Sequence, residues 1–123
     1  MARILIVEDD AQVLMLAESI LEQAGHEMVS AATVAEAQTL INSPDEKFDL
    51  VFTDVSLRNH AEGGLTIGQM VERDRKGTPV LYASGRELTD GMRAMLAERS
   101  RFLPKPYTAE QLTDAVTGLL KTD

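Results

Sequence analysis

The sequence predicts an α/β fold around one parallel β-sheet. Short aliphatic or β-branched segments alternate five times with segments whose apolar residues recur at helical spacing. The first, third and fourth apolar segments are almost free of polar residues, which is typical of strands that helices cover on both faces. With 123 residues, 44% of them hydrophobic and 26% charged, the chain can bury one core without disulfides. We therefore expect a single domain over residues 1–123.

Five strands are predicted at the apolar segments. In chain order they cover Arg3–Val7, Glu27–Ala31, 50–53, 80–83 and a short segment at 102–103. Polar residues lie just past four of them, which places those residues at the carboxyl ends of the strands.

Five helices are predicted between and after the strands. The first begins after Asp10, whose side chain can cap free amides, and ends at Gly25. Thr33 and Glu36 have the spacing of a capping box for the second helix, which the Ser-Pro pair at 43–44 terminates. The other three are expected over residues 65–75, 87–99 and 108–121.

The composition argues against several classes of function. A net charge of −8 disfavours direct binding to nucleic acid or to an anionic membrane. The chain has no cysteine, and neither His26 nor His60 has a partner at metal-ligand spacing, so a zinc site and a disulfide framework are both unsupported. The opening "MARILIV" is a strand-length segment that acids terminate, unlike a signal peptide. We expect a cytoplasmic protein that contacts neither nucleic acid nor membrane.

Polar residues at four strand ends form a candidate functional site. Glu8 and Asp9, then Asp54, Ser84 and Lys105, should meet at one edge of a parallel sheet. Three carboxylates held ~4 Å apart at an effective dielectric constant near 20 repel by about 4 kcal/mol per pair, roughly 12 kcal/mol in total. That repulsion rivals the stability of a small domain, and one lysine does not neutralise three acids. A hard divalent cation, best Mg²⁺, is the natural complement.

Four stretches of the chain carry a family resemblance. In their order and spacing, "ILIVEDDAQVL", "FDLVFTDVSL", "PVLYASG" and "FLPKPY" resemble the signature stretches of the response-regulator receiver domain of two-component signalling. The resemblance covers essentially the whole chain. It implies a flavodoxin-like, doubly wound sheet of five parallel strands in the order 2-1-3-4-5, with five helices. It also implies a phosphoprotein of a bacterial phosphorelay.

The resemblance assigns roles to the acidic residues and the lysine. It implies that Asp54 accepts a phosphoryl group and that Glu8, Asp9, Asp54 and the backbone carbonyl of Ser56 bind Mg²⁺. Lys105 would contact a phosphoryl oxygen as a point charge. A cis peptide bond between Lys105 and the following proline would aim the ammonium inward.

Two further residues are implied to form a conformational switch. The hydroxyl of Ser84 would move toward the phosphoryl group, and Phe102 would enter the vacated space. The surface of the fourth helix, fifth strand and fifth helix would then change. Phe102 lacks the hydroxyl of the commoner tyrosine, so packing alone must couple the two, and an ordinary core phenylalanine is an equally good interpretation of this residue.

The chain departs from the family pattern in the loop after Asp54. Receivers usually have proline four residues after the acceptor, where this chain has Arg58, and the loop ending in "AEGGL" is one or two residues longer. Glu8 stands where an aspartate is commoner. Ser56 and Arg86 would flank the path of the water that hydrolyses the acyl phosphate, and we hypothesise that they set its lifetime.

The resemblance also implies partners. A sensor histidine kinase or a histidine phosphotransfer protein would dock against the site loops and the first helix. The downstream partner is unknown, and the protein is expected to be a monomer or weak dimer. Met92 and Met95 could offer it a surface, although their spacing is more typical of core residues. With no output domain expected after the fifth helix, the signal would leave by contact, unless the chain is a fragment of a larger regulator.

Three functions remain to be distinguished. The favoured one is a receiver that acquires and loses its own phosphoryl group without turning over free substrates. A receiver-like binding module that is never phosphorylated is the alternative that the atypical loop permits. An aspartate-nucleophile phosphatase needs a DxD pair at the end of the first strand, which "VEDDA" does not supply. A nucleotide site lacks its glycine-rich loop.

Overall fold

The structure, a computed structural model, describes residues 2–57 and 60–121. Its five strands form one parallel sheet in the order β2-β1-β3-β4-β5, so the predicted topology is confirmed. The first two strands have the predicted bounds, and the other three are longer than predicted. The strands are β1 Arg3–Val7, β2 Glu27–Ala31, β3 Leu50–Asp54, β4 Val80–Ser84 and β5 Ser100–Pro104.

Helices cover both faces of the sheet, as expected for a doubly wound fold. They are α1 Ala11–Gln23, α2 Val34–Ile41, α3 Gly63–Asp74, α4 Asp90–Arg93 and α5 Ala109–Leu120. One buried apolar cluster lies between the sheet and α2, α3 and the α4 region, and a second lies under α1 and α5. In the described part of the chain, no helix has the length and apolarity needed to cross a bilayer.

The predicted helix caps are confirmed with one difference. Asp10 accepts hydrogen bonds from two backbone amides of the first turn of α1, and Gly25 follows its last turn with φ +93°. The Thr33 hydroxyl accepts from the Glu36 amide, as a capping box requires. The Glu36 carboxylate instead accepts from the amide of Ala32, one residue before the cap.

The prediction of a long fourth helix over 87–99 is wrong, because α4 covers only Asp90–Arg93. The Thr89 hydroxyl caps its first turn by accepting from the Met92 amide at 3.1 Å. Met92 and Met95 are half-buried and pack against the core cluster below, which supports their interpretation as core residues.

Side chains from neighbouring elements hold two backbone amides just beyond α4. The Ala97 amide donates to the hydroxyl of Tyr82 at 2.9 Å, and the Glu98 amide donates to the carboxylate of Glu72 at 3.1 Å. In a continuing helix these amides would bond to carbonyls four residues earlier. The amides of Met95 and Leu96 already bond to carbonyls three residues earlier, so the α-helical pattern stops before Ala97. The tertiary contacts then keep the next two amides out of a helix, which helical periodicity does not reveal.

Candidate functional site

The acidic residues converge at the carboxyl edge of the sheet. β1 and β3 are neighbours with Val7 opposite Thr53, so Glu8 and Asp9 emerge beside Asp54. One carboxylate oxygen from each of the three acids lies within 4.8 Å of the others. The sequence-based expectation that these three side chains meet is confirmed.

Burial shapes the electrostatics of two of these acids. The side chains of Glu8 and Asp54 are only 8% and 13% exposed. Burial raises the pKa of both carboxyls above their ordinary values. The Asp10 amide, 3.2 Å from Glu8 Oε2, and the nearby Lys105 ammonium oppose this rise in the pKa of Glu8 without cancelling it. Ionising Glu8 and Asp54 in the folded protein therefore costs more free energy than ionising the same carboxyls in water.

Lys105 reaches the acidic cluster from the end of β5. Its Nζ lies 3.3 Å from Glu8 Oε1 and 3.3 Å from Asp54 Oδ1. Its peptide bond to Pro106 is cis, as the resemblance implied. Burial alone lowers the pKa of the ammonium, but the charges and hydrogen bonds of Asp54 and Glu8 together raise that pKa above its ordinary value. Lys105 is therefore a firmly protonated counterion of two carboxylates.

Ser84 is buried at the end of β4, one residue beyond Ala83, the cross-strand neighbour of Asp54. Its hydroxyl closes a local turn: it donates to the Arg86 carbonyl and accepts from the Arg86 amide, both at 3.1 Å. Phe102 of β5 lies opposite Tyr82 in the β4–β5 register and packs, half-buried, against the core. The switch roles of Ser84 and Phe102 remain predictions.

Ser56 and Arg86 form a bridge beside the acids. The Arg86 guanidinium donates to Ser56 Oγ at 3.2 Å, and that hydroxyl donates to the Ala61 carbonyl at 3.0 Å. Both residues line a cavity of about 270 Å³ that also includes Ser84. Arg58, which stands where receivers usually have proline, lies outside the described residues. The bridge links the loops that follow β3 and β4.

Gly64 supports the site and was not identified from the sequence. Its amide donates to the Val55 carbonyl at 2.8 Å. A Cβ at this position would collide with the backbone carbonyl oxygen of Asp54. Only glycine allows α3 to begin this close to the end of β3. The glycine pair ending "AEGGL" was a visible signal, but its role depends on a contact in three dimensions.

The donor set fits a hard divalent cation. Carboxylate oxygens from Glu8, Asp9 and Asp54 are the ligands that Mg²⁺ prefers, and Ser56 lies two residues beyond Asp54. A bound Mg²⁺ would offset the repulsion among the carboxylates and draw negative charge from oxygens near it. The geometry thus places the Asp54 carboxylate beside one ammonium and two further carboxylates that could share a cation with it.

We expect Asp54 to make folding stability decrease as pH rises from about 4 toward neutrality. Because burial raises the pKa of Asp54, the folded protein binds more protons than the unfolded chain in this window and loses that advantage as the carboxyl ionises. Mg²⁺ at ten times its Kd should restore about 1.4 kcal/mol at neutral pH.

The measurement is Tm against pH for the parent and for Asp54→Asn, each with and without Mg²⁺. The difference between the two proteins isolates the contribution of Asp54 from those of other titrating groups. A difference that does not change with pH would contradict the prediction.

Comparisons with known proteins agree with this architecture. A family model described as "Response regulator receiver domain" matches residues 4–117. The uncharacterized transcriptional regulatory protein YrkP of Bacillus subtilis (strain 168) is 31% identical over 120 residues, covering 97% of this chain and 49% of YrkP. The chain spans between 26% and 51% of the length of the curated relatives it matches.

Two solved structures extend the comparison. A response regulator receiver protein from Sinorhizobium medicae WSM419 has a TM-score of 0.86 at 28% identity, covering 96% of this chain and 93% of its own. A CheY-like receiver domain protein from Methanospirillum hungatei JF-1 has a TM-score of 0.84 at 27% identity, covering 98% and 94%. With its acids at the carboxyl edge of a 2-1-3-4-5 sheet and the family match over residues 4–117, the chain belongs to the response regulator receiver domain family of two-component phosphorelay signalling.

Proposed function

We propose that this chain, as one receiver domain over residues 1–123, accepts a phosphoryl group on Asp54 in a Mg²⁺-dependent reaction. The observation that carries the proposal is the position of Asp54: its carboxylate is paired with Lys105 and lies within 4.8 Å of carboxylate oxygens of Glu8 and Asp9. Receiver domains bind Mg²⁺ at such an acidic pocket and interact with histidine kinases or phosphotransfer proteins. Receivers are generally non-catalytic signalling modules, and we infer no turnover of free substrates here.

In the proposed reaction, a carboxylate oxygen of Asp54 attacks the phosphorus of a phosphohistidine in line. The new O–P bond forms as the P–N bond breaks, and the leaving imidazole nitrogen takes up a proton from solvent. Lys105 holds one phosphoryl oxygen with its ammonium. Glu8 and Asp9 would hold Mg²⁺ together with Asp54 and the Ser56 carbonyl.

The proposed signal begins at Ser84. To bond to a phosphoryl oxygen, its hydroxyl must leave the turn that it makes with Arg86. Phe102, on the neighbouring strand, would then repack toward β4. The change would appear on the α4–β5–α5 face, formed by those three elements, where a downstream protein would bind.

The phosphoryl donor would dock beside Lys105. A groove of about 410 Å³ between α1 and the start of the segment before α5 includes Val13, Leu16, Lys105 and Tyr107. On the same helix, Met15 and Leu16 are 67% and 57% exposed, although both are large and apolar. A partner that presents a phosphohistidine could bury these side chains while its imidazole reaches Asp54. This support for a kinase or phosphotransfer partner is independent of the acids.

The test is incubation with acetyl phosphate, with and without Mg²⁺, followed by intact-protein mass measurement. We expect one phosphoryl adduct that forms with Mg²⁺ and not with a chelator. No adduct in either condition would contradict the proposal and favour the alternative of a receiver-like binding module. An adduct that forms equally well in chelator would contradict the Mg²⁺ requirement alone.

Arg86→Ala is expected to shorten the lifetime of the phosphorylated form by about tenfold, which corresponds to a barrier lower by about 1.4 kcal/mol. The reason is that the bridge to Ser56 Oγ restricts the approach of water to the acyl phosphate. The measurement is the dephosphorylation rate after removal of acetyl phosphate.

Two variants sharpen this prediction. Ser56→Ala keeps the backbone carbonyl but removes the bridging hydroxyl, so it should accelerate hydrolysis as Arg86→Ala does. Arg93→Ala, which removes an exposed arginine of α4, should leave the rate unchanged. Equal rates for Arg86→Ala and the parent would refute the role of the bridge.

A further inference from the structure

A tyrosine inside the core is fitted to a glycine on the neighbouring helix. Tyr82 of β4 is fully buried, and its hydroxyl lies against Gly68 of α3. A Cβ at position 68 would collide with that hydroxyl and crowd the ring. The end of the Tyr82 ring therefore occupies the space on α3 that a side chain at position 68 would fill. We call this space the notch. Burial raises the pKa of Tyr82, so the hydroxyl stays protonated.

This hydroxyl and a carboxylate hold two consecutive backbone amides. Tyr82 accepts from the Ala97 amide at 2.9 Å, and Glu72 accepts from the Glu98 amide at 3.1 Å. Gly68 and Glu72 are one turn apart on α3, so they lie on the same side of that helix. We call the five residues Gly68, Glu72, Tyr82, Ala97 and Glu98 the clasp. The clasp joins α3 and β4 to the segment between α4 and β5.

The clasp adjoins the α4–β5–α5 face and is connected to the acidic site along β4. Tyr82 is two residues before Ser84 on the same strand and is the cross-strand neighbour of Phe102. Ala97 is three residues before β5, and its carbonyl accepts from Ser100 Oγ at 2.7 Å. Motion of the α4–β5 segment relative to β4 would therefore strain its bond to Tyr82, and motion relative to α3 would strain its bond to Glu72.

We propose that Tyr82 and Glu72 are positioning residues whose hydrogen bonds keep the residues after α4 out of a helix and hold the α4–β5 segment in its resting arrangement. The two clasp hydrogen bonds restrain backbone amides, whereas Phe102 contacts its neighbours only through packing of its ring. The restraint itself does not depend on phosphorylation. Its consequence for signalling, a more difficult movement of the α4–β5–α5 face, rests on the proposed function.

The first experiment measures amide hydrogen exchange without any phosphoryl donor. Tyr82→Phe keeps the ring and removes the hydroxyl, and we expect exchange at Ala97 to accelerate about tenfold. Tyr107→Phe removes the other tyrosine hydroxyl and should leave Ala97 unchanged. Glu72→Ala should accelerate exchange at Glu98, whereas Glu72→Gln retains an acceptor and should not. Unchanged exchange at Ala97 in Tyr82→Phe overturns the proposal.

The notch gives a second measurement. Gly68→Ala should displace the Tyr82 ring and accelerate exchange at Ala97 in the parent. In a Tyr82→Leu background, which has no ring to displace, adding Gly68→Ala should leave exchange at Ala97 unchanged. An equal acceleration in both backgrounds would show that position 68 acts independently of Tyr82 and would overturn its part in the clasp.

The third measurement uses beryllofluoride with Mg²⁺ as a phosphoryl mimic. In Tyr82→Phe, the change in exchange over residues 100–104 should reach its midpoint at a severalfold lower beryllofluoride concentration than in the parent. Equal midpoints would overturn the signalling consequence. If the parent does not respond to beryllofluoride, the proposed phosphoacceptor function fails, and exchange at Ala97 alone decides whether the clasp exists.

Discussion

Asp54→Asn is expected to abolish adduct formation with acetyl phosphate while leaving the protein folded. The asparagine amide has no anionic oxygen to attack phosphorus, so the loss should be complete within detection. The variant should also be more stable at neutral pH, because it removes a buried charge and its repulsion from Glu8 and Asp9, which together outweigh the lost attraction to Lys105 and the hydrogen bond from the Val55 backbone. We expect a gain of about 1–3 kcal/mol.

Intact mass and urea unfolding together check this result. Asp114→Asn, which neutralises an exposed aspartate of α5, is the matched control and should neither prevent the adduct nor change stability by more than about 0.5 kcal/mol. An adduct that persists in Asp54→Asn would place the acceptor elsewhere. A less stable Asp54→Asn protein would show that the Lys105 pair outweighs the repulsion.

Gly64→Ala is expected to destabilise the protein by about 3 kcal/mol or more, a large effect for one added methyl group. The new Cβ would meet the carbonyl oxygen of Asp54 and the backbone of Val55, which cannot move aside as a flexible side chain could. The start of α3 must therefore shift away from β3, with loss of the Gly64–Val55 hydrogen bond. Urea unfolding at constant pH measures the change.

Gly91→Ala is the control for replacing a helical glycine. A Cβ at Gly91 would meet only Thr89 Oγ1, at 3.9 Å, and the substitution should be neutral or stabilising by up to about 1 kcal/mol. Because Gly64 packs on Asp54 itself, the folded fraction of Gly64→Ala should also form the phosphoryl adduct more slowly. Parent-like stability in Gly64→Ala would mean that α3 can shift without penalty.

The fold was predictable where sequence pattern and local contacts agree. β1 and β2 match their predicted bounds, and the caps at Asp10 and Thr33 form because each depends on residues within a few positions. β5 was predicted too short because it begins with Ser100 and Arg101, which obscure a strand at the edge of the sheet. The predicted length of α4 was wrong, and distant side chains hold the backbone amides that would have continued it.

The candidate site likewise has features that the sequence predicts and features that depend on packing. Convergence of Glu8, Asp9 and Asp54 follows from strand ends in a parallel sheet, so sequence position was enough. The role of Gly64 could not be predicted, because a glycine that permits close backbone approach looks like any loop glycine until the packing is known. The partners of the Ser84 hydroxyl were equally invisible, since they are backbone groups of the turn itself.

The equal distances from Lys105 to Glu8 and Asp54 have an electrical consequence. One ammonium shared by two carboxylates on different strands responds to a change at either. If a cation binds Glu8, the Lys105 ammonium pairs mainly with Asp54. If Asp54 is neutralised, the ammonium pairs mainly with Glu8. Lys105 directly follows β5, which is an edge strand of the sheet. A change in the charge of Glu8 or Asp54, at the ends of β1 and β3, therefore acts on β5 through the Lys105 side chain.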